Sequence, residues 1–213
     1  MYLIRCAGYS VNGQGEWALE KVLKKLRSAF PYIIGEQVIL RKLEEDDTSI
    51  LSYYMLDERV RKFINFREGV LRTPSKLFHY FEESYERLRD VHFVVALPLS
   101  SKQFNVDHSI QVVGDAVIGL CSLQFLDKMT KQAKLGYFIA PQFWNKGYAT
   151  EAAKLVLSFG FSVLNLSMIE ARCKAGNVAS ESVLKKCGMV KTMEGKTDSN
   201  IKYHLWRTHA ISL

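Results

Sequence analysis

Cysteine, proline and nucleotide-binding glycine patterns are sparse in this chain, and each shortage removes a class of function. The four cysteines, Cys6, Cys121, Cys173 and Cys187, are widely scattered and form no C-x-x-C pair. Neither a zinc site nor a disulfide framework is therefore indicated, and buried free thiols in a reducing cytoplasm are the simpler reading. No apolar run reaches the roughly 18 residues of a membrane span, so no membrane partner is expected. The opening stretch MYLIRCAGYSVNGQGEW lacks a basic leader followed by a long apolar segment, which argues against a secretory signal. G-x-G-x-x-G and G-x-x-x-x-G-K-[ST] are both absent, so Rossmann and P-loop readings fail. There is no internal repeat and no low-complexity tract.

What remains is an ordinary globular composition. Hydrophobic residues make up 48% and charged residues 24% of 213 residues, enough for one good core and marginal for two. The net charge of +7 favours an anionic partner, whether nucleotide cofactor, nucleic acid or acidic surface. The aromatic-basic motifs of RNA modules are missing, so nucleic acid is not indicated.

Residues 1–34 read as an extension ahead of a main domain at 35–213. Leu19, Val22, Leu23, Leu26 and Phe30 share one helical face, with Lys21, Lys24, Lys25 and Arg27 on the rest. That stripe suits a helix docked on its own domain or on the second subunit of a homodimer better than a membrane-surface helix. Pro31 ends it. Val38–Arg41 predicts a strand. Helices follow through Ile50–Met55 and from Thr73, with Thr73 as N-cap and Pro74 at the first helical position. Phe63, Phe66, Phe78 and Tyr85 are candidates to line a substrate site. Val91–Leu97, Ile110–Val113 and Ala116–Leu123 read as strands, with Gly114-Asp115 as a hairpin turn. Ser167–Cys173 is a further strand, and Met189–Met193 with Tyr203–Arg207 forms a terminal hairpin.

The most informative stretch is KLGYFIAPQFWNKGYATE, Lys134 to Glu151. Its first half alternates like a strand, Pro141 ends ladder bonding, and Asn145–Thr150 opens a long apolar helix. A glycine loop at a helix start offers free N–H groups and the positive end of the helix dipole, which makes an anion site. The buried helix then crosses over to the strand Ser167–Cys173. That strand–helix–strand unit implies parallel neighbours and a right-handed crossover. Asn177 caps a short helix ending at Cys187, with Gly188 at its left-handed C-terminal position.

GYFIAPQFWNKGYATEA followed by NVASESVLKKCGM resembles the GNAT family of acyl-coenzyme A N-acyltransferases, over about residues 36–208. Within it, the order is similar to the branch of ribosomal-protein N-terminal-amine acetyltransferases. The family pattern Q/R-x-x-G-x-G/A falls on Trp144-Asn145-Lys146-Gly147-Tyr148-Ala149. The resemblance implies an α/β (α+β) fold: a mixed, mostly antiparallel central sheet, helices on both faces, and parallel strands splayed at the acyl-CoA site. It implies acetyl-CoA as co-substrate, no metal, and acetyl transfer to a primary amine by direct attack. The acceptor would be a protein N-terminus or a small-molecule amine.

Residue by residue, it implies that backbone groups of Phe138 and Ile139 bind pantetheine and thioester. The N–H groups of Asn145, Lys146, Gly147, Tyr148, Ala149 and Thr150 would hold pyrophosphate. Asn177 would meet the pantetheine or adenine side, and Lys186 or Lys146 would pair with phosphates. Three positions depart from the family pattern: Trp144 replaces a Gln or Arg donor, Lys134 replaces a glutamate base, and Leu184 replaces a tyrosine acid. Ser180 is the candidate acid, and an alkyl thiolate of pKa about 8.5 needs only a weak one. Glu170 is the candidate base, with Glu194, His204, Asp115 or a water chain as alternatives. The same departures motivate an alternative, an acyl-CoA-sensing module with impaired turnover.

Overall fold

The computed structural model describes residues 3–5, 19–64, 66–98, 115–197 and 202–210. One nine-stranded sheet organises them. From one edge it runs β1 (Leu3–Arg5), β2 (Tyr32–Ile34), β3 (Ile39–Arg41), β4 (Val91–Leu97) and β5 (Ala116–Asp127). It continues through β6 (Gln132–Ile139), β7 (Met168–Lys174) and β9 (Lys202–His209) to β8 (Val190–Lys196) at the other edge. Every neighbouring pair is antiparallel except β6 and β7, which run parallel. The mixed, mostly antiparallel sheet expected from the sequence is therefore present, and β8 and β9 form the terminal hairpin. The expected Ile110–Val113 strand and Gly114 turn lie outside the described residues.

Side chains alternate across each strand, which assigns the two faces. On one face α6 (Tyr148–Ser162) packs between α1 (Leu19–Ser28) and α7 (Val178–Lys186). There Leu23, Leu155, Val156, Phe159 and Leu184 share a core with Phe93, Cys121, Leu135 and Ala171. The other face carries α2 (Asp47–Leu56), the single turns α3 (Glu58–Arg61) and α4 (Glu68–Leu71), and α5 (Pro74–Glu86). Leu51, Met55, Leu77 and Phe81 meet Ile39, Val94, Ala96 and Leu120 there.

Helix α6 is apolar almost all round because it is buried almost all round, from Ala152 and Ala153 to Phe159. Helix α1 buries Val22, Leu23 and Leu26 in the same core, and each such side chain is worth about 1.5–3 kcal/mol. Arg27 adds an ion pair to Glu86 of α5 at 3.4 Å. The basic amphipathic stripe is thus docked on its own domain. Gly35 N–H bonds Val38 O at 2.8 Å between β2 and β3, so packing is continuous across residue 34. Pro74 starts α5 as expected, but the Thr73 side chain makes no capping bond.

Candidate functional site

The site begins where the sheet comes apart. β6 and β7 are paired only from Gln132 opposite Met168 to Leu135 opposite Ala171. β6 then stays with β5 out to Ile139, while β7 stays with β9 out to Lys174. A wedge opens between them at Gly136 and Arg172.

Backbone directions decide which groups face the wedge. Ala140 N–H donates to Ile118 O of β5 at 2.8 Å. In an antiparallel ladder successive residues turn to opposite sides, so Phe138 also faces β5. Its carbonyl lies 2.2 Å from where a Cβ on Gly119 would be, so only glycine permits that approach. The groups on the open side belong to Tyr137 and Ile139. The Ile139 backbone therefore faces the wedge, and the Phe138 backbone is turned into the sheet toward β5. The Phe138 side chain packs toward the α2–α5 cluster instead.

Beyond the wedge, a 3-10 turn at Pro141–Phe143 leads to Trp144. The Trp144 indole N–H donates to the Ile139 carbonyl at 2.6 Å. A residue expected only to lack a donor thus supplies one, directed at the wedge-facing backbone. Asn145 (φ 61°) and Gly147 (φ 87°) both adopt left-handed backbone, which glycine and asparagine tolerate best. The N–H groups of Asn145 through Thr150 find no acceptor among the described residues. They converge at the start of the fifteen-residue α6, where the helix dipole adds positive potential. Lys146 is exposed beside this loop, its Nζ 5.9 Å from the Phe143 ring.

A carboxylate holds the loop in place. Glu151 is buried in the first turn of α6 and accepts the Gln37 N–H at 2.9 Å and the Gln37 side-chain amide at 3.3 Å. Sequence reasoning passed over Glu151, because an acidic residue in a first helical turn already has a reason to be there. The close fit to Gly35, whose missing Cβ would lie 2.1 Å from Oε1, is a tertiary fact.

On the α7 side, Asn177 caps the helix by accepting the Ser180 N–H at 3.2 Å. Ser180 Oγ lies 2.8 Å from the Tyr137 hydroxyl. Burial pushes the Tyr137 phenol well above its ordinary pKa and outweighs the opposing bond to Ser180, so the pair remains protonated and able to donate. The pairing of Tyr137 with Ser180 is a tertiary contact that no local sequence pattern announces. Leu184, where relatives of the family pattern carry tyrosine, is buried in the core; a phenol comes instead from the strand. Lys186 is exposed in the last turn of α7, and the next residue, Cys187, sets that end of the helix against the start of α6, its Sγ 3.7 Å from the Thr150 carbonyl.

The candidate bases are separated. Glu170 lies on the α2–α5 face and is paired with Arg207 at 3.3 Å, opposite Lys134 in register. His204 contacts Glu181 at 2.6 Å and Glu194 at 3.4 Å on the α7 side. Lys191 holds the Glu194 carboxyl below the usual carboxylate range. Asp115 is locked with Asp47 in the two-sided fork of Arg41, with contacts of 2.7–2.8 Å. Of these groups, Glu170 is the one beside the parting strands on the face away from α6. Among the aromatic candidates, Phe66 packs against the rings of Tyr80 and Phe81, and Phe66 and Phe78 are only partly buried. Phe63 lies just beyond α3 beneath the Lys62 ammonium. Tyr85 is buried, bonding His92 O at 2.6 Å.

A parting parallel pair that exposes strand backbone, followed directly by a helix start with unbonded N–H groups, defines an α/β fold whose open edge and helix N-terminus lie on one segment. Residues 37–190 match the family described as acetyltransferase (GNAT) domain, and the chain belongs to the GNAT acetyltransferase family. It is 29% identical to the uncharacterized N-acetyltransferase p20 of Bacillus licheniformis over 156 residues, covering 73% of this chain and 80% of p20. It is also 29% identical to spermidine N(1)-acetyltransferase of Escherichia coli K12 over 139 residues, covering 64% of this chain and 71% of that enzyme. Mycobacterium smegmatis RimJ, solved in complex with CoA-disulfide, superposes with a TM-score of 0.67 at 19% identity, covering 83% of each chain. That last likeness is one of fold. Among the described residues no helix is long and apolar enough to cross a membrane.

Proposed function

We propose that this chain transfers the acetyl group of acetyl-CoA to a primary amine by direct attack, without a covalent enzyme intermediate. The observation that carries the reading is the order of free backbone groups along one segment. Wedge-facing groups of Tyr137 and the Ile139 N–H come first, the Ile139 carbonyl being taken by the Trp144 indole, and the unbonded N–H groups of Asn145 to Thr150 follow. The first set suits a pantetheine amide and a thioester oxygen, and the second suits a pyrophosphate. The Asn177 side-chain oxygen is taken by the α7 cap, so its side-chain N–H groups would be the part that meets pantetheine or adenine. Exposed Lys146, and Lys186 at the end of α7 that packs on α6, would add phosphate partners.

In the reaction an amine lone pair attacks the thioester carbonyl, and charge builds on its oxygen. N–H groups of the β6 edge face that oxygen and cost no reorganisation when charge develops. Ser180 and Tyr137 form a hydroxyl pair that hands a proton to the departing thiolate. The amine must arrive neutral or lose its proton nearby, and Glu170 is the carboxylate placed on the acceptor face. Holding both reactants in one wedge supplies proximity. Nothing in the site favours the non-catalytic reading. Trp144 donates within the wedge, and Tyr137 stands in for the phenol that Leu184 lacks.

The test is thiol release from acetyl-CoA with a panel of primary amines, alongside calorimetry of coenzyme A binding. The expected result is micromolar binding and amine-dependent thiol release. Tight binding with no release above background for any amine would overturn the transferase reading.

A further inference from the structure

The face of the sheet away from α6 carries a charge pattern that bears on the acceptor. By alternation, Lys134 on β6, Glu170, Arg172 and Lys174 on β7, and Tyr203 and Arg207 on β9 point to that side. Among the described residues of these strands, Glu170 is its one carboxylate, and Arg207 already engages it at 3.3 Å. Lys174 is also taken, its ammonium donating to the Lys62 carbonyl at the end of α3.

Arg172 is different. It is the first residue of β7 beyond the last paired rung, so it stands where the wedge begins to open. No carboxylate lies within ion-pair distance of it among the described residues. Its guanidinium lies 4.3 Å from the centre of the Tyr203 ring. The Tyr203 hydroxyl in turn occupies space 2.6 Å from where a Cβ on Gly195 would be. A glycine on β8 thus makes room for a ring on β9, and the ring seats an arginine on β7. The ring holds the exposed guanidinium in place, and its N–H groups bond no protein acceptor among the described residues, which leaves the fork open to a planar oxyanion.

We infer that the acceptor is an amine bearing its own carboxylate, an amino acid or the end of an acidic peptide, and that Arg172 on its Tyr203 platform binds that carboxylate. The inference rests on the acetyl-transfer reading above. It adds a sign to the acceptor: a polyamine would bring two or more positive charges against Arg172, Lys134 and Lys174. The carboxylate anchor would also orient the amine toward the wedge, because both groups sit on one short skeleton.

The experiment compares matched amines that differ only in the anion. Glycine against glycinamide and β-alanine against β-alaninamide serve for small acceptors. A peptide beginning Ala-Asp-Glu against one beginning Ala-Asn-Gln serves for peptide acceptors, and spermidine is the cationic control. Each is measured by thiol release and by calorimetric binding to the coenzyme A-loaded protein. The expected result is at least a tenfold preference in kcat/KM for the anionic member of a pair, and spermidine the poorest. Whichever matched set gives the larger preference assigns the source, free amino acid or peptide.

Arg172→Met should remove that preference by raising the acceptor KM, with the acetyl-CoA KM unchanged. Arg172→Glu should make spermidine the better acceptor. Equal rates within each pair, or spermidine preferred by the unaltered protein, would overturn the inference. If no amine is acetylated but the loaded protein still binds the anionic members at least tenfold tighter, the anion site stands and the transferase reading falls. If binding also shows no preference, both fall.

Discussion

The two faces of the wedge are built from different materials. Toward α6 and α7, the groups on offer are chiefly main-chain: the Tyr137 and Ile139 edge and the N–H groups of Asn145 to Thr150. Toward α2 to α5, they are side chains from separate strands: Arg172 on Tyr203, and Glu170 on Arg207. Main-chain recognition fixes one ligand through backbone geometry and tolerates many side chains. Side-chain recognition can be re-specified one residue at a time. A constant cofactor and a changeable acceptor call for this division.

The largest effect should come from breaking the backbone side. Gly147→Glu places a carboxylate on the anion loop and forces left-handed backbone on a residue that resists it, at a strain of about 1–2 kcal/mol. Coenzyme A affinity by calorimetry should fall more than about 100-fold, near 3 kcal/mol, with the folded circular dichroism signal retained. Gly147→Asn, which tolerates the same backbone, should keep affinity within about tenfold. Equal loss in both variants would mean that crowding or misfolding, not charge, is responsible.

Removing a proton donor should matter less. Tyr137→Phe and Ser180→Ala each leave the wedge backbone intact, so the acetyl-CoA KM should stay within about threefold. Turnover should fall roughly 10- to 100-fold, toward the lower end for an acid because a thiolate departs readily. The double variant should lose little more than the worse single one if the two hydroxyls act as a unit. Multiplying losses would show them to be independent.

The smallest effect concerns pH. His92 is fully buried beneath α5, flanked by the Phe81 and Tyr85 rings, with Asp90 its nearest charged neighbour at 3.9 Å. Burial pushes its pKa down to about 4, against the partial pull of Asp90 in the other direction. The unfolded chain, with histidine near pKa 6.5, binds that proton first. The His92 contribution to stability is therefore complete above about pH 6.5 and is lost as pH falls toward 4. Chemical denaturation across that window should show a downward slope that His92→Leu flattens. The proposed cofactor loop offers chiefly main-chain N–H groups, and coenzyme A affinity should stay comparatively level over the same range. An unchanged slope in the variant would assign the acid sensitivity to carboxylates elsewhere.

The same contrast explains what the sequence disclosed. Gly147, Pro141, Asn177 and Gly188 announce loop, stop, cap and helix end through their own backbone chemistry, and all four hold those places. The crossover through α6 was legible from its apolar length. Other features depend on partners that no local pattern contains. The end of β6–β7 pairing at Leu135 is a property of two strands, and so is the direction of the Phe138 backbone. Tyr137 reads as one more strand aromatic until α7 brings Ser180 to it. β1 and β2 are three residues each, too short for periodicity to reveal. Arg172 looked like any exposed cation, because the ring that holds it lies on another strand.

The bond from the Trp144 indole to the Ile139 carbonyl has a practical consequence. An indole is also a chromophore, and this one is anchored to the main chain that the cofactor must approach. The protein carries its own optical gauge at the mouth of the cleft, while Trp206 lies buried in the core as an internal standard. Occupancy of the site can be followed through light the molecule emits itself, with no label attached.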